Sequence, residues 1–148
     1  LGGQLFSKAK GAVLQIANRA YLRREQLTVV GFGNDKLEHI LPRVRAPKQI
    51  QHTLDRVSAG GGTPIRGALE NTQTYLQALL RKMPSLAIKC YLITDGRTKQ
   101  NIAGLTLPGE CTVIDIEASS VKRGRAESIA QALGARYLTL PNSYYSRA

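Results

Sequence analysis

Acidic residues are scarce in this chain: ten Asp and Glu stand against 21 Lys and Arg, a formal net charge of +11 at pH 7 over 148 residues. Aromatic residues amount to 5%, and tryptophan is absent. A single-strand nucleic-acid binder combines cationic surface with aromatic faces on which bases stack. Here the charge is present, the aromatic faces are few and no nucleic-acid motif accompanies them, so nucleic acid is not the expected partner. No run of about eighteen or more apolar residues occurs, which leaves no candidate for a transmembrane helix, and Leu1 to Tyr21 is too polar for a signal peptide. No membrane contact and a cytoplasmic location are the expectation.

Cysteine and histidine are equally sparse. Cys90 and Cys111 sit in separate apolar runs with no Cys-x-x-Cys spacing and no nearby histidine pair, so they are read as buried free thiols of the core. His39 falls in a short strand and His52 on a polar helix position. Neither has a nucleophile or carboxylate partner evident in the sequence, and both are read as surface histidines. No catalytic residue is assigned.

What is present is an alternation of helical and strand periods. Leu5, Ala9, Ala12, Val13, Ile16, Ala17 and Ala20 recur at helical spacing and predict a helix over Gln4 to Tyr21. Gln26 to Phe32 reads as a strand, Gly33-Asn34-Asp35 as a turn, and Leu37 to Leu41 as a second, antiparallel edge strand. Pro47 is expected to start a helix running to about Val57. A longer one follows over Ile65 to Arg81, with Ile65, Ala68, Leu69, Thr72, Leu76, Leu79 and Leu80 on its buried face. Ile88 to Thr94 and Thr112 to Ile116 are near-continuous apolar runs, the pattern of parallel strands covered on both faces. Thr98 to Pro108 reads as a loop, Arg125 to Leu133 as a helix stopped by Gly134, and Arg136 to Leu140 as a last strand. The order predicts an α/β, Rossmann-like fold with a mainly parallel sheet, helices on both faces and one antiparallel edge strand. One domain is expected over residues 1–140, with a mobile tail from Pro141 to Ala148.

Two short segments stand out from this frame. Gly60-Gly61-Gly62-Thr63-Pro64 precedes the long helix, and Thr94-Asp95-Gly96-Arg97 ends an apolar strand. Open α/β sheets bind ligands beyond the carboxyl ends of their strands, where Asp95 is expected to lie. Hard cations such as Mg2+ take oxygen ligands, often one or two carboxylates with hydroxyls and waters. Thr63 and Asp95 offer those groups, and the three glycines let the loop carrying Thr63 approach closely. The plain structural reading is a helix N-cap for Thr63 and a turn residue for Asp95. Asp115, at the end of the next strand, is read as capping the loop that follows. Gly60-Gly61-Gly62 lacks the Lys and the spacing of a phosphate-binding loop.

These two segments, with the order of the elements, resemble a von Willebrand factor A (integrin I-like) domain. From Ala9-Lys10-Gly11-Ala12-Val13 through Thr94-Asp95-Gly96-Arg97, the sequence is similar to the C-terminal domain of magnesium-chelatase D subunits and their cobalt-chelatase relatives. The resemblance implies a metal-ion-dependent adhesion site built from an Asp-x-Ser-x-Ser motif after the first strand, a Thr and an Asp. Thr63 and Asp95 match the Thr and the Asp, with Gly60, Gly61, Gly62 and Gly96 as loop support. The first motif is absent, because the chain opens at Leu1-Gly2-Gly3-Gln4, which reads as the start of a helix. The strand expected with that motif would be central, between the strands around Val29 and Leu92. The missing stretch lies upstream, or another copy of the chain donates a strand and makes a homo-oligomer, or the flanking strands close the gap.

The resemblance implies a protein-binding domain that docks partner subunits during insertion of Mg2+ or Co2+ into a tetrapyrrole. The expected partners are an AAA+ chelatase subunit, a large chelatase subunit and an acidic protein segment. Mg2+ would be the cofactor, weakly held if the first motif is truly lacking, and the chemistry would belong to other subunits. The alternative is a metal-independent adaptor whose basic clusters bind an acidic protein or nucleic acid. Those clusters are Lys8, Lys10, Arg19, Arg23 and Arg24, then Lys122, Arg123 and Arg125.

Overall fold

A computed structural model describes residues 3–33, 36–48, 50–55, 65–96, 101–117 and 124–140. The elements run α1 (Gly3–Leu22), β1 (Gln26–Gly33), β2 (Lys36–Arg45), α2 (Gln51–Asp55), α3 (Ile65–Lys82), β3 (Lys89–Thr94), β4 (Glu110–Asp115), α4 (Arg125–Leu133) and β5 (Arg136–Thr139). They form two compact units, α1 through α2 and α3 through β5. The fold is α/β, with an antiparallel pair in the first unit and a three-stranded parallel sheet flanked by helices in the second.

In the first unit, the small residues of the α1 stripe do the packing. Ala9, Ala12, Ala17 and Ala20 are buried, whereas Leu5, Val13 and Ile16 are only partly covered. Ala17 packs with Ile50 and Leu54, and Val13, Leu14, Leu27 and Val29 close around them, so the helix, the hairpin and α2 share one core. β1 pairs with β2 from Gln26↔Arg45 to Gly33↔Lys36, with irregularities around Val29. A hydrogen bond from Ala46 N to Glu25 O, 2.9 Å, carries the pairing past the last strand residues. β2 is longer than the expected Leu37 to Leu41, because pairing with β1 continues through Val44 and holds a residue as polar as Arg45 in the ladder. The expected helix from Pro47 begins later, at Gln51, and the turn at 34–35 lies outside the described residues.

In the second unit the strand order is β3-β4-β5. Lys89↔Glu110 through Thr94↔Asp115 pair without a break, and Thr112↔Arg136 through Asp115↔Thr139 continue the sheet. Cα partners on adjacent strands project to the same face, and successive residues alternate faces. One face therefore carries Leu92, Thr94, Val113 and Asp115, all buried. Full coverage of both faces does not hold for β3, where Lys89 and Tyr91 are exposed. β3 is a border strand of this sheet, so its outward residues meet less cover than those of the central β4. α4 buries Ala126, Ile129, Ala130 and Leu133, one stripe at helical spacing. Gly134 ends it in the left-handed region at φ 65°, its N–H meeting the carbonyls of Ala130 and Gln131, as the sequence predicts. In α3, Ile65, Ala68, Leu69 and Leu76 are buried, while Thr72, Leu79 and Leu80 are partly covered. Residues 101–108 have no helix or strand, yet Ile102, Leu105 and Leu107 are buried and anchor that loop. The tail from Pro141 lies outside the described residues. No helix among the described residues is long and apolar enough to cross a membrane.

Candidate functional site

The carboxyl ends of the parallel strands bring two carboxylates into the interior. β3 delivers Thr94 and Asp95, 4% and 6% exposed, and β4 delivers Asp115, 1% exposed. Thr94 lies opposite Asp115, which lies opposite Thr139. The apolar runs before them hold the strands in the core, so the first polar residue after each run is carried in as well.

The turn after β3 is shaped by its own side chains. Gly96 N–H donates to Thr94 Oγ1 at 3.0 Å, a local bond between residues two apart that folds the chain away from the sheet. Gly96 has φ 80°, and a Cβ added there would stand 2.6 Å from Ala126 N and 2.9 Å from Arg125 Cβ. Only glycine lets the Asp95 turn lie this close to the first turn of α4. The hydrogen bond and the close approach together fix where the Asp95 backbone leaves the sheet.

Asp115 is fully engaged. Its Oδ1 accepts from Glu117 N at 2.8 Å and its Oδ2 from the Tyr137 hydroxyl at 2.5 Å. The first bond is the loop cap expected from the sequence; the second joins β4 to β5. Burial and the Asp115 carboxylate together push the Tyr137 hydroxyl above its ordinary value. Beside them, Arg125 Nη2 lies 4.0 Å from Glu117 Oε1 and ties the start of α4 to the end of β4. Arg66, in the first turn of α3, donates to the carbonyls of Asn101 at 2.6 Å and Ala103 at 3.4 Å and pairs with Glu70 at 3.2 Å. A cavity of about 290 Å3 opens between residues 101–103 and α4, with Gly96 in its wall and Asn101, Arg125 and Ser128 as its polar residues.

Of the sequence-predicted site residues, Asp95 and Gly96 are found together at the carboxyl end of β3. Thr63 and the loop glycines Gly60, Gly61 and Gly62 lie outside the described residues, as do Lys122 and Arg123 of the second basic cluster. A hard cation takes several oxygen ligands. Among the described residues no group of three or more His, Cys, Asp or Glu could hold a metal ion. Asp95 is one buried carboxylate, fewer groups than such an ion takes. In the first basic cluster, Arg19, Arg23 and Arg24 are exposed and Lys10 stands over the Phe6 ring, 4.7 Å from its centroid. The side chains of His39 and His52 lie outside what is described.

Three relationships escape the sequence reading: Tyr137 with Asp115, Arg66 with the 101–103 backbone, and Cys90 opposite Cys111. Each depends on which residue of one strand or helix faces which residue of another. Asp115-x-Glu117 is the one local signal, since an Asp two residues before a loop amide often caps it.

No family model matches the chain, and no solved structure matches it. Among curated proteins, it is 28% identical over 162 residues to the magnesium-chelatase 67 kDa subunit of Chlorobaculum parvum, covering 92% of this chain and 26% of that protein. It is 30% identical over 155 residues to the magnesium-chelatase 60 kDa subunit of Cereibacter sphaeroides, covering 93% of this chain and 27% of that protein. The chain thus spans about a quarter of the length of these relatives. Along some nine-tenths of its length, the chain is homologous to a segment of the magnesium-chelatase 60 and 67 kDa subunits, the relatives that its Thr-Asp-Gly-Arg turn and glycine loop point to.

Proposed function

We propose that this chain is a von Willebrand A-like, protein-binding domain of a magnesium- or cobalt-chelatase D-type subunit, docking partner subunits while a metal ion is inserted into a tetrapyrrole. The observation that carries this reading is the similarity to magnesium-chelatase subunits along some nine-tenths of the chain. The inserted metal is substrate and is handled elsewhere in the assembly.

Docking would use the carboxyl end of the parallel sheet. Asp95 and Thr63 are the residues of this chain that would hold a Mg2+ ion, Asp95 through a carboxylate oxygen and Thr63 through its hydroxyl. When bound, the ion supplies an electrophilic position for an acidic side chain of the partner. Gly96 keeps the Asp95 turn against α4, and Thr94 fixes its direction by accepting the Gly96 N–H. Arg125 and Ser128 line the adjoining cavity and would meet the partner's carboxylate surroundings. The partners are an AAA+ chelatase subunit and the large chelatase subunit, and the cell compartment is the cytoplasm.

Co-purification of the chain with a magnesium-chelatase AAA+ subunit tests the reading. Retention is expected in Mg2+ and is expected to fall with EDTA or with Asp95→Ala. A second reading rests on the net charge of +11, with Arg19, Arg23 and Arg24 exposed. In that case the chain is a metal-independent adaptor for an acidic protein or nucleic acid, and retention falls with salt alone.

A further inference from the structure

We propose that Cys90 and Cys111 form a dithiol modification site, at which exchange with a small-molecule disulfide closes an intramolecular Cys90–Cys111 disulfide.

Register brings the two thiols together. Cys90 on β3 and Cys111 on β4 are Cα partners, within a pairing that runs unbroken for the whole length of both strands. Adjacent strands lie about 4.7–4.9 Å apart, inside the roughly 4.4–6.8 Å over which a disulfide joins two Cα atoms. Directly paired residues project to one face, so the two thiols share it. Both thiols are free, and each shifts the titration of the other as a close neighbour does.

The pair also has the two unequal roles that exchange needs. By residue exposure Cys111 is buried, at 9%, and Cys90 only partly so, which makes Cys90 the thiol assigned to first attack. Two thiols this closely coupled stabilise one thiolate at the expense of the other. This lowers Cys111 and, with burial, raises Cys90. Loss of one proton to solvent leaves a single proton shared by the pair. That proton rests mainly on Cys90, and exchange runs through the minor tautomer with it on Cys111, in which the Cys90 thiolate attacks one sulfur of the disulfide RSSR. An S–S bond forms to Cys90 and RS− leaves. Cys111 gives its proton to that RS−, and its thiolate then attacks the Cys90 sulfur. The Cys90–Cys111 bond forms and the second RS− leaves, to be protonated from solvent. Two protein thiols are oxidised, one RSSR is reduced to two RSH, and atoms and electrons balance.

The segment closed by this bond carries Asp95, Gly96 and the loop anchored by Ile102, Leu105 and Leu107. Joining its ends restricts the unfolded chain, so the oxidised form is expected to melt roughly 5–10 °C higher.

The test equilibrates the full chain with reduced and oxidised glutathione at graded ratios, followed by acid quench, alkylation and peptide mass mapping. Both thiols are expected to disappear together, with a mass loss of two hydrogens and a linked pair of peptides containing Cys90 and Cys111. Excess reduced glutathione should reverse this. In the Cys111→Ser variant the glutathione adduct on Cys90 has no resolving thiol and should accumulate roughly tenfold above wild type. Wild-type measurements alone decide the matter if the variant does not fold. Two separate glutathione adducts on one chain, disulfide-linked dimers through Cys90, or two thiols still open to alkylation in oxidised glutathione would each overturn the proposal.

Discussion

Gly96 and Ala126 are packed so tightly that a single Cβ on Gly96 would stand 2.6 Å from the Ala126 amide nitrogen. That approach couples the turn after β3, where Asp95 sits, to the first turn of α4. A Gly96→Ala change brings both a left-handed backbone, φ 80°, and a backbone clash. It is expected to cost about 2–4 kcal/mol. Gly104 has φ 83°, but a Cβ there would meet nothing within 4 Å, so Gly104→Ala should cost only about 1–2 kcal/mol. Urea midpoints of the two variants, compared at equal m-values, check this; equal losses would show that the contact with α4 carries no weight.

Tyr137 and Asp115 impose a pH dependence. The hydroxyl titrates at about pH 10 in an unfolded chain and higher in the folded one, because burial and the neighbouring carboxylate favour its neutral form. The folded state therefore keeps this proton longer. The stability it contributes is complete below about pH 10 and is lost as pH rises through the folded value. Tyr137→Phe removes the donor to Asp115 Oδ2 and should cost about 1–2 kcal/mol at neutral pH, with a smaller loss of stability above pH 10 than in wild type. Denaturation of both proteins at pH 7 and above pH 10 provides the comparison.

Arg66 holds the backbone of residues 101–103 to the first turn of α3. Its side chain is 40% exposed, so solvent screens its pairing with Glu70, and the two carbonyl contacts are the larger effect. Arg66→Ala is expected to cost about 0.5–1.5 kcal/mol globally. Amide exchange should quicken over residues 101–107 more than in β4, a pattern that hydrogen exchange with mass readout resolves. Uniform acceleration across the second unit would contradict the local role.

Much of this architecture is legible in residue spacing. The stripe of Ala126, Ile129, Ala130 and Leu133 has a helical period and a glycine just past its end, and α4 spans the residues that this pattern implies. The apolar runs ending in Thr94-Asp95 and Ile114-Asp115 mark two parallel strands and the place where polar groups emerge from the sheet. Strand length is less legible in β2, where Arg43 bonds across to the Gln26 side chain and polar composition hides a paired strand. Nor does spacing carry register. Nothing local in Lys89-Cys90-Tyr91 or Glu110-Cys111-Thr112 says that the two cysteines meet, because that depends on how far one strand slides against the other. The Tyr137 hydroxyl finds Asp115 for the same non-local reason.

The most direct test of the docking account is calorimetric titration of a magnesium-chelatase AAA+ subunit into the chain, in Mg2+ and in EDTA. Wild type would be run beside Asp95→Ala and Thr63→Ala. The account predicts binding in Mg2+ that weakens at least about tenfold, or about 1.4 kcal/mol, in EDTA and in either variant. Binding that is unchanged by EDTA and by both substitutions, and that falls only with added salt, would contradict it.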